Sequence, residues 1–208
     1  MTEYIFRHYD DLLEALAEHI QIVAVSLFFS LLIAGGLTVA SAYSRKMGEI
    51  LIQIFSVVYA IPSLALFALL IPVTGLGAKT AVIVLTAYNQ YILLRNFITG
   101  LNETDAAAVE AARGIGMSVM QVLVRVRLPL GKKAVFTGIQ LSAVSTIGIA
   151  TIAAMINAGG LGTILFDGLR TMNVYKILCG SILSAGLALL VNGVFGTLER
   201  RLYSGYRP

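Results

Sequence analysis

Apolar residues run along this chain in stretches of 17 to 24 positions, with short polar segments between them. A helix crossing the roughly 30 Å hydrocarbon layer needs about 20 predominantly apolar residues, because backbone polar groups in lipid must pair within their own segment. Five stretches meet this demand, at 20–43, 50–72, 78–94, 134–156 and 178–198. None alternates as a barrel strand would. The pattern predicts an all-α integral membrane chain with about five transmembrane helices. It forms one domain over residues 1–208, with an external N-terminal segment over 1–19.

The polar interruption between the third and fourth stretches, residues 101–132, has internal order. Asp105 can cap a short helix running from Ala106 to Ala112, built of good helix formers with small side chains. Gly114 and Gly116 should break it. Ser118 and Gln121 then have the spacing of a capping box for a second helix. On that helix Val119, Val122, Leu123 and Val126 recur on one face, and Pro129 is expected to stop the run. A small-residue helix carrying one acidic side chain suits a groove on another protein, although a connector packing on its own bundle would have the same pattern.

Composition agrees with the membrane reading: 58% of residues are apolar, 12% are charged and mean hydropathy is +0.86. The first stretch follows Asp10, Asp11, Glu14 and Glu18 rather than a basic leader, so it is expected to be retained. Basic residues tend to stay on the cytoplasmic side. With the N-terminus outside, Arg45, Lys46, Arg95, Arg113, Arg125, Arg127, Lys132, Lys133, Arg200, Arg201 and Arg207 fall inside, and Arg7, Lys79, Arg170 and Lys176 outside. The expected orientation is N-out and C-in. The net charge of +4 is then a matter of topology, and nothing points to nucleic acid. Cys179 is alone, and His8 and His19 lack the ligand spacing of a metal site.

The spacing Glu110-Ala111-Ala112, Gly116, Val126, Leu128-Pro129 resembles the EAA loop of the permease subunits of binding-protein-dependent ABC importers. It departs from that motif in Val126, where isoleucine is usual. The resemblance implies that Glu110, Ala111, Ala112, Gly114 and Gly116, with Leu128 and Pro129, form a coupling helix and its support, inserted in a cleft of an ATP-hydrolysing partner. It also implies that ATP and magnesium bind that partner and that no cofactor binds this chain. More narrowly the chain resembles the osmoprotectant permeases for glycine betaine, choline, carnitine and proline betaine. The supporting residues are Ile61-Pro62-Ser63-Leu64-Ala65-Leu66, Arg95-Asn96, Thr99-Gly100-Leu101, Arg113-Gly114 and Gly159-Gly160-Leu161-Gly162. That family commonly has proline three residues before the Arg-Asn pair, where this chain has Ile92.

The resemblance further implies a second permease subunit, identical or paralogous, and a separate extracytoplasmic solute-binding protein, since the chain ends at Pro208, ten residues past the last stretch. The setting would be the inner membrane of a bacterium or archaeon. A permease for another small solute, such as an amino acid or related zwitterion, and a channel or scaffold without an ATPase are the competing readings. Gly75-Leu76-Gly77-Ala78-Lys79-Thr80 is only a fragment of a phosphate loop. Glu110 has no second titratable residue at a fixed spacing, so no catalytic residue is assigned and the chain is not expected to be an enzyme.

Polar residues at membrane depth are the candidates for a solute path. They are Tyr59 and Ser63 around Pro62, whose missing backbone donor should kink the second stretch, then Tyr88, Asn89, Gln90 and Tyr91, and Ser142, Ser145 and Thr146. Such side chains also serve as interhelical hydrogen bonds, and Asn192 is expected to be one. Tyrosine faces could attract a quaternary ammonium without a fixed anion. Gly159, Gly160 and Gly162 suggest a flexible turn before a short amphipathic helix at the outer face, as an outer gate or an interfacial helix. No acidic residue or lysine stands near the centre of a stretch, which argues against a proton-coupled carrier.

Overall fold

The computed structural model describes residues 2–203, so Arg207 and the chain end at Pro208 lie outside the described residues. Every described element is helical: α1 (Thr2–Arg7), α2 (Tyr9–Ser41), α3 (Arg45–Ala60), α4 (Ser63–Thr74), α5 (Ala78–Asn102), α6 (Ala106–Gly114), α7 (Val119–Val122), a π-turn (Leu123–Arg127), α8 (Leu128–Ala153), a 3-10 turn (Ala154–Ile156), α9 (Leu161–Arg170) and α10 (Val174–Tyr203). Among the described residues, three helical runs are long and apolar enough to cross a membrane: Tyr9–Ser41, Val119–Ile156 and Val174–Arg201.

The remaining two expected spans differ for physical reasons. The second is two helices, α3 and α4, bent by 94° to one another. The break falls at Ile61, which is extended, followed by Pro62. The freed Ile61 carbonyl accepts a hydrogen bond from the Tyr88 hydroxyl. The expected kink is therefore a full break, and taken as one span the pair would be a fourth. The third, α5, falls short of the other three in apolar content. It packs chiefly on α8 and α2, burying Thr80, Thr86, Asn89 and Gln90, so it is polar because protein rather than lipid surrounds it. The boundary at residue 20 also shifts, since α2 starts at Tyr9 and absorbs most of the external segment.

The main core lies where α2, α4, α5 and α8 meet around Phe67, Leu85, Tyr88 and Ile147. A second cluster, Ala34, Leu93, Leu94, Phe97 and Ile98, fills the end of the bundle nearer the loop that carries α6. At the other end Gly77 N donates to Ile156 O at 2.8 Å, tying the turn before α5 to the end of α8. The phosphate-loop-like glycines thus serve a structural turn.

Candidate functional site

The loop nominated for coupling folds into a helix pair. Asp105 Oδ1 accepts from Ala107 N at 3.0 Å and caps α6. Ser118 and Gln121 form the expected capping box for α7, at 3.3 and 2.8 Å. Between them the chain reverses at Gly116, whose φ of +85° is a conformation that side chains with a Cβ rarely adopt. Gly116 N and Met117 N then reach back to Arg113 O and Ala112 O at 2.9 and 3.1 Å, satisfying carbonyls that the end of α6 leaves open.

One face of this pair is spent inward. Val109, Ala112 and Val122 form a small core with Met117 and Val126 against it. Burying each valine contributes about 1.5–3 kcal/mol, so α6 is held at a fixed angle to α7. The other face is open: Glu110, Ala111, Gly114 and Ile115 are exposed, Ile115 at 81%. Glu110 has no ion pair or hydrogen bond among the described residues. The helix fixed from behind thus leaves an unpartnered acidic group and an exposed isoleucine on its open face.

Pro129 does not stop the run, contrary to the expectation above. The helix passes from α7 through the π-turn into α8, with Leu128 and Pro129 in its first turn. Proline lacks a backbone donor, and widening the preceding turn to i→i+5 bonds accommodates the gap without ending the helix. Leu128 and Pro129 are exposed at this junction. Through the π-turn α7 and α8 form one continuous helix that runs from the loop into the core.

Of the path candidates, four turn inward. Asn89 Nδ2 donates to Ser30 Oγ at 3.1 Å. Its Oδ1 lies 2.8 Å from Ser142 Oγ and 3.0 Å from Thr146 Oγ1. Gln90 Nε2 donates to Ser30 O and Thr86 O at 3.3 and 3.1 Å. All of these side chains are buried, and together they join α2, α5 and α8. Ser26, Ser30 and Thr86 belong to the network although none is nominated above. Their sequence signal is the four-residue spacing Ser26, Ser30, Ala34, Thr38, a stripe of small residues that lets helices approach. Replacing Asn89 by leucine removes three bonds at once, and a loss of about 1–2 kcal/mol is expected. Thermal unfolding of the purified variant in detergent checks this, and an unchanged midpoint would show that the network carries no stability.

The remaining candidates lie elsewhere. Tyr59 stands between Tyr88 and Tyr91, at ring-centroid distances of 5.5 and 5.0 Å. Tyr59 is 38% exposed, whereas Tyr88 is buried. Arg95 covers Tyr91, with its guanidinium carbon 5.8 Å from the ring centre and Nη1 donating to the hydroxyl at 2.5 Å. Ser63 starts α4 at the break beside Pro62, and Ser145 is half-buried on α8. Asn192 accepts from Gln140 Nε2 at 2.8 Å, joining α10 to α8 as expected of a packing contact.

The glycine turn before α9 is closely packed against α2 and α8. Gly160 N donates to Glu18 Oε2 at 2.9 Å. A Cβ on Gly160 would come within 2.9 Å of His19 Nδ1, and one on Gly162 within 2.0 Å of Thr151 O. His19 is itself fully buried, its Nε2 3.1 Å from Ile147 O. Absent side chains let the turn press against α2 and α8, so α9 is fixed at its start. At its other end Asp167 meets Lys176 and Arg170. The hydrogen bond from Lys176, with that from Arg170, holds the Asp167 carboxyl below its ordinary pKa.

The backbone as a whole has known counterparts. An inward-facing structure of the MetNI methionine ABC transporter superposes with a TM-score of 0.85 at 22% identity, over 91% of this chain and 95% of that one. In sequence, the chain is similar to the carnitine transport permease protein OpuCB of Listeria monocytogenes, 40% identical over 159 residues, which are 76% of this chain and 73% of that protein. It is also similar to the choline transport system permease protein OpuBB of Bacillus subtilis, 33% identical over 192 residues, 92% of this chain and 88% of that protein. Residues 26–204, which include the whole helix pair just described, match the binding-protein-dependent transport system inner membrane components, and the chain belongs to that family of ABC importer permeases.

Proposed function

We propose that this chain is the permease subunit of an ATP-driven importer that carries a small osmoprotectant, a quaternary-ammonium compound such as glycine betaine, carnitine or choline, into the cell. The observation that carries the coupling half of the proposal is α6 itself. It is braced from behind by Val109, Ala112 and Val122 and presents an unpaired Glu110 and an exposed Ile115. The choice of solute rests on the two relatives, whose names specify carnitine and choline transport.

In this reading the chain crosses the inner membrane five times, N-out and C-in, with α3 and α4 as one broken span and α5 as the span shielded by its neighbours. Two permease subunits, identical or paralogous, enclose the path, since one bundle of this size has too few helices to surround a solute. Each presents α6 to an ATP-binding subunit that holds ATP and magnesium, and an extracytoplasmic protein delivers the solute. Closure of the ATPase pair draws the two α6 helices together. The continuous α7–α8 helix carries that motion to the core, and the path opens outward; hydrolysis resets it inward.

Tyr59 is the candidate of the aromatic group that faces the path, while Tyr91 lends its face to Arg95 and is freed only if Arg95 moves. Asn89, Gln90, Ser142 and Thr146 hold the wall together behind it. Gly159, Gly160 and Gly162 anchor α9 at the outer rim, where it forms the outer gate as a rigid lever rather than a flexible lid.

The test is uptake by the reconstituted transporter against a panel of glycine betaine, carnitine, choline, proline betaine and unmethylated amino acids. Competition by the methylated ammonium compounds alone is the expected result. Tyr59→Ala should lower the maximal rate for them by about tenfold, the loss of roughly one cation–π contact of 1–2 kcal/mol. Preference for an unmethylated amino acid would replace the solute assignment and leave the importer assignment standing.

A further inference from the structure

Beside α6, where it meets α7 and the π-turn, lies a pocket that the coupling role does not use. It has a volume of about 220 Å³ and is lined by Ala42, Arg113, Met117, Val119, Val122, Leu123 and Arg127. Two guanidinium groups thus share one small space. The lining carries no carboxylate, and neither arginine forms an ion pair among the described residues.

Arg127 is the more constrained of the two. Its Nη1 donates to the neutral Asn102 Oδ1 at 2.9 Å. Its Nε is buried and has no hydrogen-bond partner. A buried donor left unmade costs about 1–3 kcal/mol, more when charged, and a second positive group beside it adds repulsion. The chain tolerates this arrangement if an anion completes it in the working protein.

Geometry narrows the anion. The guanidinium fork suits a planar or tetrahedral oxyanion held by parallel bonds, the arrangement found in arginine–phosphate pairs. The pocket opens where α2 ends: Ala42 is in its lining, and the neighbouring Tyr43 is 64% exposed. Tyrosine and basic residues at the end of an apolar helix mark the headgroup level of a bilayer, where phosphate is the prevailing anion.

We propose that Arg113 and Arg127 form a binding site for a phosphate oxyanion, seated between the coupling helix and the end of α2. The occupant is either the headgroup phosphate of an anionic lipid or free phosphate, the shared chemistry being two guanidinium groups on one tetrahedral anion. Because Met117 and Val122 line both the pocket and the small core between α6 and α7, the bound anion braces the angle at which α6 is presented. The site does not depend on which solute is carried.

The full-length chain, purified in a maltoside detergent with whatever subunits accompany it, is titrated with phosphatidylglycerol in one arm and inorganic phosphate in the other. Binding is read by native mass spectrometry. Saturable binding in either arm is expected, weakened by about tenfold in Arg113→Gln and unchanged in Arg125→Gln, a nearby exposed arginine outside the pocket. Arg127→Gln should act like Arg113→Gln, but since its side chain is partly buried the exposed Arg113 is the variant that decides. Binding of lipid but not phosphate identifies the headgroup as the source, and binding of both identifies phosphate as sufficient. Absence of binding in both arms, or equal loss in Arg125→Gln, overturns the site. So does loss of an accompanying ATPase in Arg113→Gln without any phosphate binding by the unaltered chain, which would assign the pocket to a protein carboxylate.

Discussion

Glu110→Arg is expected to abolish solute uptake while leaving the chain inserted and folded. The reason is where the side chain stands. Glu110 is exposed on α6, unpaired within the described chain, so reversing its charge removes no internal contact. What it changes is the surface proposed to meet the ATPase, where a basic side chain would replace an acidic one. Fully desolvated charge contacts at protein interfaces are worth about 2–5 kcal/mol when truncated on one side, so uptake should fall by at least about tenfold. Gly116→Asp should reach the same end by another route. At φ +85° a residue with a Cβ is strained by about 1–2 kcal/mol, and the reversal that separates α6 from α7 would relax into a different angle. Nothing lies within 4 Å of a Cβ built there, so the effect is conformational rather than a clash. The measurement is uptake and ATP hydrolysis in parallel, with Gly193→Ala on α10 as the control, since Gly193 has open space around it and lies outside the coupling loop. Full uptake by both variants would remove α6 from the coupling role.

How much of this was legible beforehand depended on whether the signal was local. The caps at Asp105, Ser118 and Gln121 are written in neighbouring residues, and each forms as its spacing indicates. The break at Pro62 is local too, but its setting is not: a proline guarantees a missing donor, whereas the bend of 94° comes with a hydrogen bond to the Ile61 carbonyl from Tyr88, 27 residues after Ile61. At Pro129 the same residue type leaves the helix unbroken, because a widened turn absorbs the missing bond. Sequence alone does not separate these two outcomes, since each proline follows a segment with helical spacing.

The candidate path shows the same division. Asn89, Gln90, Ser142 and Thr146 are recognisable as polar residues at membrane depth, and that observation fits a path and an interhelical seam equally well. Only the partners decide, and the partner of Asn89 and Gln90 on α2, Ser30, lies about 60 residues away. The glycines at 159, 160 and 162 invite a reading as flexible for the same reason. Glycine permits freedom where nothing is near and close approach where something is, and what is near them is Glu18, His19 and Thr151, which no local pattern reveals.

Gly162 is where that ambiguity has its largest consequence for stability. It stands in the first turn of α9, facing the backbone of α8, and a methyl group there would meet Thr151 O at 2.0 Å and Ala154 Cβ at 2.8 Å. The obstacle is largely backbone, which cannot rotate away as a flexible side chain would. Gly162→Val must therefore displace α9, and with it the Gly160 N to Glu18 Oε2 bond at 2.9 Å that fixes the turn to α2. Overpacking of a tight interface costs about 1–3 kcal/mol, enough to lower the unfolding midpoint by roughly 2–12 °C for a chain of this length. The chain supplies its own probe: Cys179, its one cysteine, is buried on α10, the helix against which α9 packs. Labelling of Cys179 by a thiol-reactive fluorophore during heating should begin at lower temperature in Gly162→Val than in the unaltered chain. Gly148→Ala, on α8 with open space around it, should leave the curve where it was. If Gly162→Val also leaves it unmoved, α9 yields without cost, and the rigid lever proposed for the outer rim gives way to a mobile one.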